Sequence, residues 1–111
     1  MQVQAITKNV RMSAQKMREM VRQIQGLPAL QAQAVLKFVS RKSARVVAKT
    51  LDSAIANAEN NPPHAKVETL RVKEAVAQTA RSIKRFTPKA RGSAGPIIKR
   101  SCHVKIVVSD E

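Results

Sequence analysis

Hydrophobic positions near the start of the chain recur with the period of an α-helix. Residues of one apolar stripe follow the i, i+3, i+4, i+7 spacing that places side chains on a single helical face; they are Met17, Met20, Val21 and Ile24. Ser13 is a typical N-cap residue, and Gly26 is typical of the position that ends a helix. The pattern predicts a first helix over residues 14–25 whose stripe, including its methionines, packs into the core.

The same period predicts two more helices. Pro28 suits the first turn of a second helix over residues 29–39, whose stripe consists of Ala32, Val35, Leu36 and Val39. A longer apolar face begins after Lys42 and runs through Val46, Val47, Thr50, Leu51, Ala54, Ile55 and Ala58. Asn60, Asn61, Pro62 and Pro63 then stop this third helix.

Three segments instead have the signature of strands. Residues 2–8 carry Val3, Ala5 and Ile6 without helical periodicity and predict a short strand. Farther along, Leu70, Val72 and Val76 alternate with Thr69, Arg71, Lys73 and Ala75, and near the end Cys102, Val104, Ile106 and Val108 alternate with His103, Lys105, Val107 and Ser109. Alternation of this kind indicates half-buried strands.

The segment between the last two strands, residues 80–96, has no apolar periodicity that could bury it. It contains several cations together with Pro88, Gly92, Gly95 and Pro96. The simplest arrangement is a long β-hairpin whose base belongs to the sheet and whose tip projects from the globule. We therefore expect one α+β domain, with a globule of residues 1–79 and 101–111 and an extended basic hairpin of about residues 80–100.

The net charge of the chain indicates which class of partner it binds. The 111 residues include 21 Lys and Arg against 7 Asp and Glu, a formal net charge of +14, and a surplus of this size favours nucleic acid. With two Phe and no Tyr or Trp, the chain does not resemble single-strand binders built on aromatic platforms. The single cysteine, Cys102, permits no intramolecular disulfide, which indicates a reducing, cytoplasmic compartment. No stretch is long and apolar enough for a signal peptide or a membrane span, so we expect a soluble protein without a membrane partner.

Cations are concentrated on three surfaces. The window between Glu74 and Asp110 contains no acidic residue but holds eight cations, namely Arg81, Lys84, Arg85, Lys89, Arg91, Lys99, Arg100 and Lys105. A second group, on or near the first helix, is Arg11, Lys16, Arg18 and Arg22, and a third, along the third helix, is Arg41, Lys42, Arg45 and Lys49. Any one helix could simply present a solvated face, but three basic surfaces on so small a globule favour RNA binding.

The sequence contains few residues placed to support catalysis. Cys102 and His103 are adjacent on a strand and therefore point to opposite faces, and His64 follows a Pro-Pro turn. The carboxylates are scattered singly, and the glycines around Arg91 lack the Lys-Ser/Thr of a phosphate-binding loop. We expect no enzymatic activity, no metal site and no cofactor.

Four stretches, spread over essentially the whole chain, resemble the L-twenty-two family of bacterial large-subunit ribosomal proteins. Their sequences are RMSAQKMR from residue 11, LDSAIANAEN from residue 51, KRFTPKARG from residue 84 and IKRSCHV from residue 98. The last two in tandem are the most specific. The resemblance implies three helices on a three-stranded antiparallel sheet with an elongated hairpin.

The resemblance also implies a role: a structural constituent of the large subunit that binds 23S rRNA, supports assembly and lines the nascent-peptide tunnel with its hairpin. It implies rRNA contacts by Lys84, Arg85, Lys89, Arg91, Lys99 and Arg100 on the hairpin and by Arg11, Lys16 and Arg18 on the globule. Charge placement adds Arg22, Arg41, Lys42, Arg45, Lys49 and Arg81 to these candidates, and we include His103 on the last strand. The tunnel-facing tip would consist of Pro88, Lys89, Ala90, Arg91, Gly92, Ser93, Ala94 and Gly95.

The implied partners are 23S rRNA, neighbouring large-subunit proteins, the nascent polypeptide and, indirectly, macrolide antibiotics. The sequence departs from the family pattern at residues 78–82, which lack an acidic-Gly-Pro run, and at Gly95-Pro96, where a more polar pair is usual. Pro96 should stiffen the returning strand and remove one hydrogen-bond donor.

Two other classes share some of these features. A DNA-bending protein with basic β-ribbon arms would need an apolar wedge at the tip, whereas the tip reads Pro88-Lys89-Ala90-Arg91-Gly92-Ser93 with Phe86 further back. A membrane-active cationic protein would need aromatic anchors on its helices, which these helices lack.

Overall fold

A computed structural model describes residues 2–61, 66–88, 90–92 and 94–110, with the side chains of residues 87, 88, 91 and 94 not described. His64, Lys89 and Ser93 therefore lie outside the described residues. In chain order the elements are β1 (Gln2–Val10), α1 (Ala14–Ile24), α2 (Ala29–Phe38), α3 (Lys42–Asn60), a 3₁₀ turn (Val67–Thr69), β2 (Arg71–Thr79), β3 (Ile83–Pro88), a second 3₁₀ turn (Ala90–Gly92), β4 (Ala94–Lys99) and β5 (Cys102–Ser109).

The globule is built on a three-stranded antiparallel sheet in the order β1-β5-β2. The predicted alternation of β5 holds only as far as Ile106, because Val107 and Ser109 on the opposite face are buried too. The side chains of Cys102, Val104, Ile106 and Val108 are all completely buried on one face, as predicted. Their face of the sheet packs against α3, where Val47, Leu51, Ala54 and Ala58 are also completely buried. The α+β class and the three predicted helices are thus confirmed.

The stripe of α1 also packs into the core. Met17 and Ile24 are fully buried, and Met20 and Val21 are almost so. Ser13 caps the helix, its Oγ accepting a hydrogen bond from the Lys16 amide at 3.4 Å. The predicted methionine packing is therefore confirmed.

Two details of the strands differ from prediction. β1 extends two residues beyond the predicted end at residue 8, and it does so through a register irregularity between Thr7 and Val10. In β2, Ala75 is completely buried while Val76 is only partly buried, the reverse of the predicted alternation. The cause is a β-bulge between Val72 and Glu74, since one extra residue exchanges the two faces of the strand beyond it.

Gly26 connects α1 to the sheet. It has φ of +79°, and its amide donates a hydrogen bond to the Val72 carbonyl at 2.9 Å. No other atom occupies the space that a Cβ would fill, so the requirement for glycine is conformational and not steric.

Gly26→Ala should therefore lower the free energy of unfolding by about 1 kcal/mol, the cost of placing a non-glycine residue in the left-handed region. Chemical denaturation monitored by circular dichroism measures this change. Gly26→Asn is the matched variant, since asparagine tolerates this conformation better and should lose less stability. Equal stability of the alanine variant and the parent would refute the account.

The predicted hairpin consists of a base and an arm. The base is formed by β2 and β5, which stay paired as far as Thr79 and Cys102, and the Ala80 amide then donates to the Ser101 carbonyl at 3.0 Å. β3 and β4 form a separate two-stranded antiparallel sheet, which we call the arm. The chain extends over 63 × 26 × 17 Å with a radius of gyration of 17.1 Å, whereas a compact domain of this length would have about 13 Å.

Among the described residues, the structure contains no helix with the length and apolar character needed to cross a membrane.

Candidate nucleic-acid interface

Five predicted RNA-binding cations converge where the arm joins the globule. Arg11 comes from the β1–α1 connection, Arg18 from α1, Arg81 from the β2–β3 connection, and Lys99 and Arg100 from the end of β4 and the β4–β5 connection. All five side chains are exposed. We call this cluster the root.

Two adjoining clefts shape the surface of the root. One, of about 470 Å³, is lined by Ser13, Ala14, Gln15, Arg18, Thr79, Arg100 and Ser101. The other, of about 330 Å³, is lined by Asn9, Arg11, Arg81, Ile83, Lys99, Arg100 and Ser101. Among these described lining residues none is acidic, so the positive charge of the root is not neutralised by any carboxylate within either cleft.

The first turn of α1 adds to the positive field. Ala14 and Gln15 begin the helix and line the larger cleft, and the first backbone amides of a helix have no carbonyl partner within it. The first turn carries no acidic residue. The partial positive charge of the helix end therefore reinforces the arginines.

The end of β1 is held by a local hydrogen-bond network. Asn9 adopts φ of +57°, and its amide donates to Nδ1 of His103 at 3.1 Å. The Met12 amide donates to the Val10 carbonyl at 2.8 Å. His103, predicted as an RNA contact, thus has a structural role in holding the strand that leads to Arg11.

A second set of hydrogen bonds joins the β2–β3 connection to the β4–β5 connection at the base of the arm. Ser101 Oγ donates to the Arg81 carbonyl at 2.6 Å, one residue beyond the Ala80–Ser101 backbone bond. The two bonds hold Arg81 and Arg100 beside each other on the two connecting segments.

Ser101→Ala should remove one of these two hydrogen bonds. Loss of one hydrogen bond of about 1 kcal/mol should raise the exchange rate of the Ala80 amide about fivefold. Hydrogen–deuterium exchange with residue resolution measures it, and Ser82→Ala at a neighbouring exposed serine is the control. An Ala80 amide that exchanges equally fast in both variants would show that Ser101 holds nothing in place.

The arm combines cations with apolar side chains on both of its faces. Its register pairs Lys84 with Ile98, and Phe86 with Pro96, on one face. It pairs Ile83 with Lys99, and Arg85 with Ile97, on the other. Lys84 and Arg85 are exposed, as are Ile83, Phe86, Ile97 and Ile98, so the arm presents charge and apolar surface together.

Only part of the predicted tip is described. Ala90–Gly92 form a 3₁₀ turn in which Gly92 has φ of +74°, and Pro88 pairs with Ala94, and Thr87 with Gly95, at the end of the arm. Lys89 and Ser93 lie outside the described residues, as does the side chain of Arg91.

The helix cations divide into separate groups. On α1, Lys16 and Arg22 are exposed, while Arg18 Nε donates to the Ala77 carbonyl of β2 at 3.1 Å. On α3, Lys42 Nζ donates to the Arg11 carbonyl at 3.4 Å, and Arg45 and Lys49 line a groove between α2 and α3.

Arg41 is not a free cation. Its Nη1 lies 3.1 Å from Oε2 of Glu19, in an ion pair whose side chains are both largely exposed. An ion pair this exposed is weak, so a phosphate would compete with Glu19 for Arg41. As RNA contacts, all of these residues remain predictions.

Sequence reasoning missed Phe38. This residue is 94% exposed at the end of α2. A signal was available, because Phe38 falls outside the stripe of Ala32, Val35, Leu36 and Val39 that predicted the helix.

The described residues include few groups that could act in catalysis. They contain no group of three or more His, Cys, Asp or Glu residues placed to hold a metal ion. Cys102 is completely buried, and burial raises the pKa of its thiol, which disfavours the reactive thiolate.

Comparison with known proteins identifies the family of the chain. The sequence profile of the family described as ribosomal protein L22p/L17e matches residues 5–109. The chain is 49% identical over 110 residues to the large ribosomal subunit protein uL22 of Opitutus terrae, covering 99% of this chain and 96% of that protein. It is 42% identical over 111 residues to the protein of the same name from Akkermansia muciniphila, covering 100% and 98%.

The family match spans nearly the whole chain, including the root and the arm, and proteins of this family are structural components of the ribosome without enzymatic activity. The predicted family resemblance and the absence of catalysis are therefore confirmed. This chain belongs to the ribosomal protein L22p/L17e family.

Proposed function

We propose that this protein, a structural constituent of the large subunit of the cytoplasmic ribosome, binds 23S rRNA through the root and the arm and supports assembly of the subunit. The observation that carries the proposal is the convergence of five exposed cations on two clefts with no acidic residue among their described lining. The globule, residues 1–79 and 101–111, and the hairpin, residues 80–100, act as one RNA-binding unit.

The mechanism is charge neutralisation. Packed rRNA helices repel one another through their phosphates, and each Lys or Arg that contacts a phosphate releases condensed counterions. The root places several cations at the point where the arm leaves the globule, so phosphates from different rRNA segments can be held at one place. Binding and assembly are then the same event, and neighbouring ribosomal proteins complete the site.

The arm is shaped to enter folded RNA. It is two strands wide, and its exposed isoleucines and Phe86 stand beside Lys84, Arg85 and Lys99. Cations can follow phosphates while apolar side chains contact sugars and bases. We propose that the arm passes between rRNA domains and that its tip lines the exit tunnel, where it faces the nascent polypeptide.

Salt dependence of binding tests the proposal. Log affinity for purified 23S rRNA should fall linearly with log salt, with a slope of roughly −0.7 to −0.9 for each phosphate contacted, and five root contacts alone would give a slope of about −4. Filter binding between low and moderate salt measures it, with duplex DNA of equal charge as the competitor. Equal affinity for DNA would favour the architectural DNA-binding alternative.

Deletion of residues 88–94 should change sensitivity to macrolides such as erythromycin, because it shortens the part of the arm proposed to face the tunnel. The minimal inhibitory concentration of cells that carry the variant as their only copy measures the effect. Glu68→Gln, at an exposed residue of the globule, is the control. Unchanged sensitivity in cells whose large subunits contain the variant would contradict the tunnel placement.

A further inference from the structure

The two aromatic residues of the chain lie outside the core. Phe38 is 94% exposed and Phe86 is 76% exposed, while aliphatic side chains and methionine fill the interior. Phe38 ends α2, outside the helix face that Ala32 and Leu36 bury. Because single apolar side chains are common on protein surfaces, the case for a partner at Phe38 depends on the residues around it.

The surroundings of Phe38 are basic. Its chain neighbours Lys37 and Val39 both line the groove between α2 and α3, which has a volume of about 670 Å³ and also contains Arg45 and Lys49. The groove includes one carboxylate among its described lining, Asp52, whose Oδ1 accepts a hydrogen bond from Gln33 Nε2 at 2.9 Å. Three cations against one carboxylate make the groove complementary to a polyanion.

An aromatic ring beside cations matches the chemistry of an unpaired nucleotide. Bases that are not paired stack on exposed aromatic side chains, and nearby Lys and Arg hold the adjoining phosphates. Arg45 and Lys49 are four residues apart on α3, which places them one above the other along the same face. An acidic protein would complement the charge of the groove, but only a nucleic acid also offers bases that stack on an exposed ring, such as that of Phe38 between the groove residues Lys37 and Val39.

We propose that Phe38 is a stacking platform for an unpaired base of 23S rRNA, with Arg45 and Lys49 bound to the adjoining phosphates. This inference rests on the proposed rRNA binding and adds a second contact on the globule, distinct from the root. It also revises the expectation from composition that the protein does not use aromatic platforms.

Fluorescence gives a direct readout, because the chain contains no Trp and no Tyr. Phe38→Trp introduces a single fluorophore at the proposed platform, and stacking against a base should quench it on addition of 23S rRNA. Leu30→Trp is the matched control, since Leu30 is half exposed at the other end of the same helix, whereas Phe38 lies between the groove residues Lys37 and Val39. Quenching in the Phe38→Trp variant without quenching in the Leu30→Trp variant supports stacking, and equal quenching in both overturns it.

Affinity measurements on full-length protein complete the test. Phe38→Ala should weaken binding to 23S rRNA about tenfold, Phe38→Leu should weaken it similarly because it keeps apolar bulk without a ring, and Phe38→Tyr should bind like the parent. Arg45→Ala should instead make the slope of log affinity against log salt shallower by roughly 0.7 to 0.9, the contribution of one phosphate contact. Since Phe38 is exposed, none of its variants should unfold the globule.

The outcomes separate this inference from the proposed function. If the parent binds 23S rRNA and the alanine and leucine variants bind equally well, the stacking platform is refuted while rRNA binding stands. If the parent does not bind 23S rRNA, the proposed function fails first. Fluorescence that changes only when other ribosomal proteins are added would overturn the inference in favour of a protein partner.

Discussion

Replacing Arg11, Arg81 and Arg100 together with glutamine is expected to abolish most of the affinity for 23S rRNA. Each phosphate contact contributes roughly 0.7 to 0.9 to the slope of log affinity against log salt, so losing three should lower affinity by about two orders of magnitude at ~0.1 M salt. The slope itself should become shallower by roughly 2 to 3. All three side chains are exposed, so the fold should survive, as circular dichroism can verify.

A charge-matched variant isolates the position of the cations from their number. Lys66, Arg71 and Lys73 are exposed residues around the start of β2, at the opposite end of that strand from the root. Replacing these three with glutamine gives the same net charge but leaves the root intact, and affinity should fall much less. Equal losses in the two triple variants would mean that net charge governs binding and that the root is not a site.

The second large effect concerns stability. Ile106→Ala should lower the free energy of unfolding by about 3 kcal/mol, a large fraction of the roughly 5–15 kcal/mol that a domain possesses. Ile106 is completely buried on the central strand β5, and its partners across the sheet are Ala5 and Ala75. Because both neighbours are small, no bulky side chain at these paired positions can fill the cavity.

Urea denaturation monitored by circular dichroism measures the loss. Ile98→Ala is the matched control, since the same atoms are removed from a side chain that is 46% exposed on the arm, and it should cost less than about 1 kcal/mol. If the two variants were equally destabilised, the division between a packed core in the globule and an arm outside it would be wrong.

Periodicity in the sequence predicted the parts of the fold that depend on one burial direction. α3 presents a single face to the core, and so does β5 from Cys102 to Ile106, so their helical and alternating patterns identified both the element and its buried side. The burial of Val107 and Ser109 on the opposite face of β5 was not predicted. β2 was harder, because the bulge between Val72 and Glu74 depends on its pairing with β5. Nothing in the local pattern of residues 71–76 reports a bulge, and Val76 was therefore assigned to the wrong face.

In the candidate site, too, features set by local sequence were predictable and features set by the packing of distant elements were not. The cations of the hairpin were predicted as a group because they share an acid-free stretch of sequence. That Arg11 and Arg18 join Arg81 and Arg100 at one place depends on β1 and α1 folding beside the hairpin base, which residue types alone do not specify. Likewise, the ion pair of Arg41 with Glu19 depends on α1 and α3 lying side by side, which the sequence does not specify.

The most direct test of the account is to locate the root and the arm on the ribosome. A photo-crosslinking residue placed at Arg81 or Ile98 in the tagged protein, followed by sucrose-gradient sedimentation of cell lysate, reports the particle and the RNA together; a crosslinker at exposed Lys66 is the comparison. We predict that the protein sediments with large subunits and that residues 81 and 98 crosslink to 23S rRNA. Crosslinks mainly to DNA, or large subunits in which neither residue touches 23S rRNA, would contradict it.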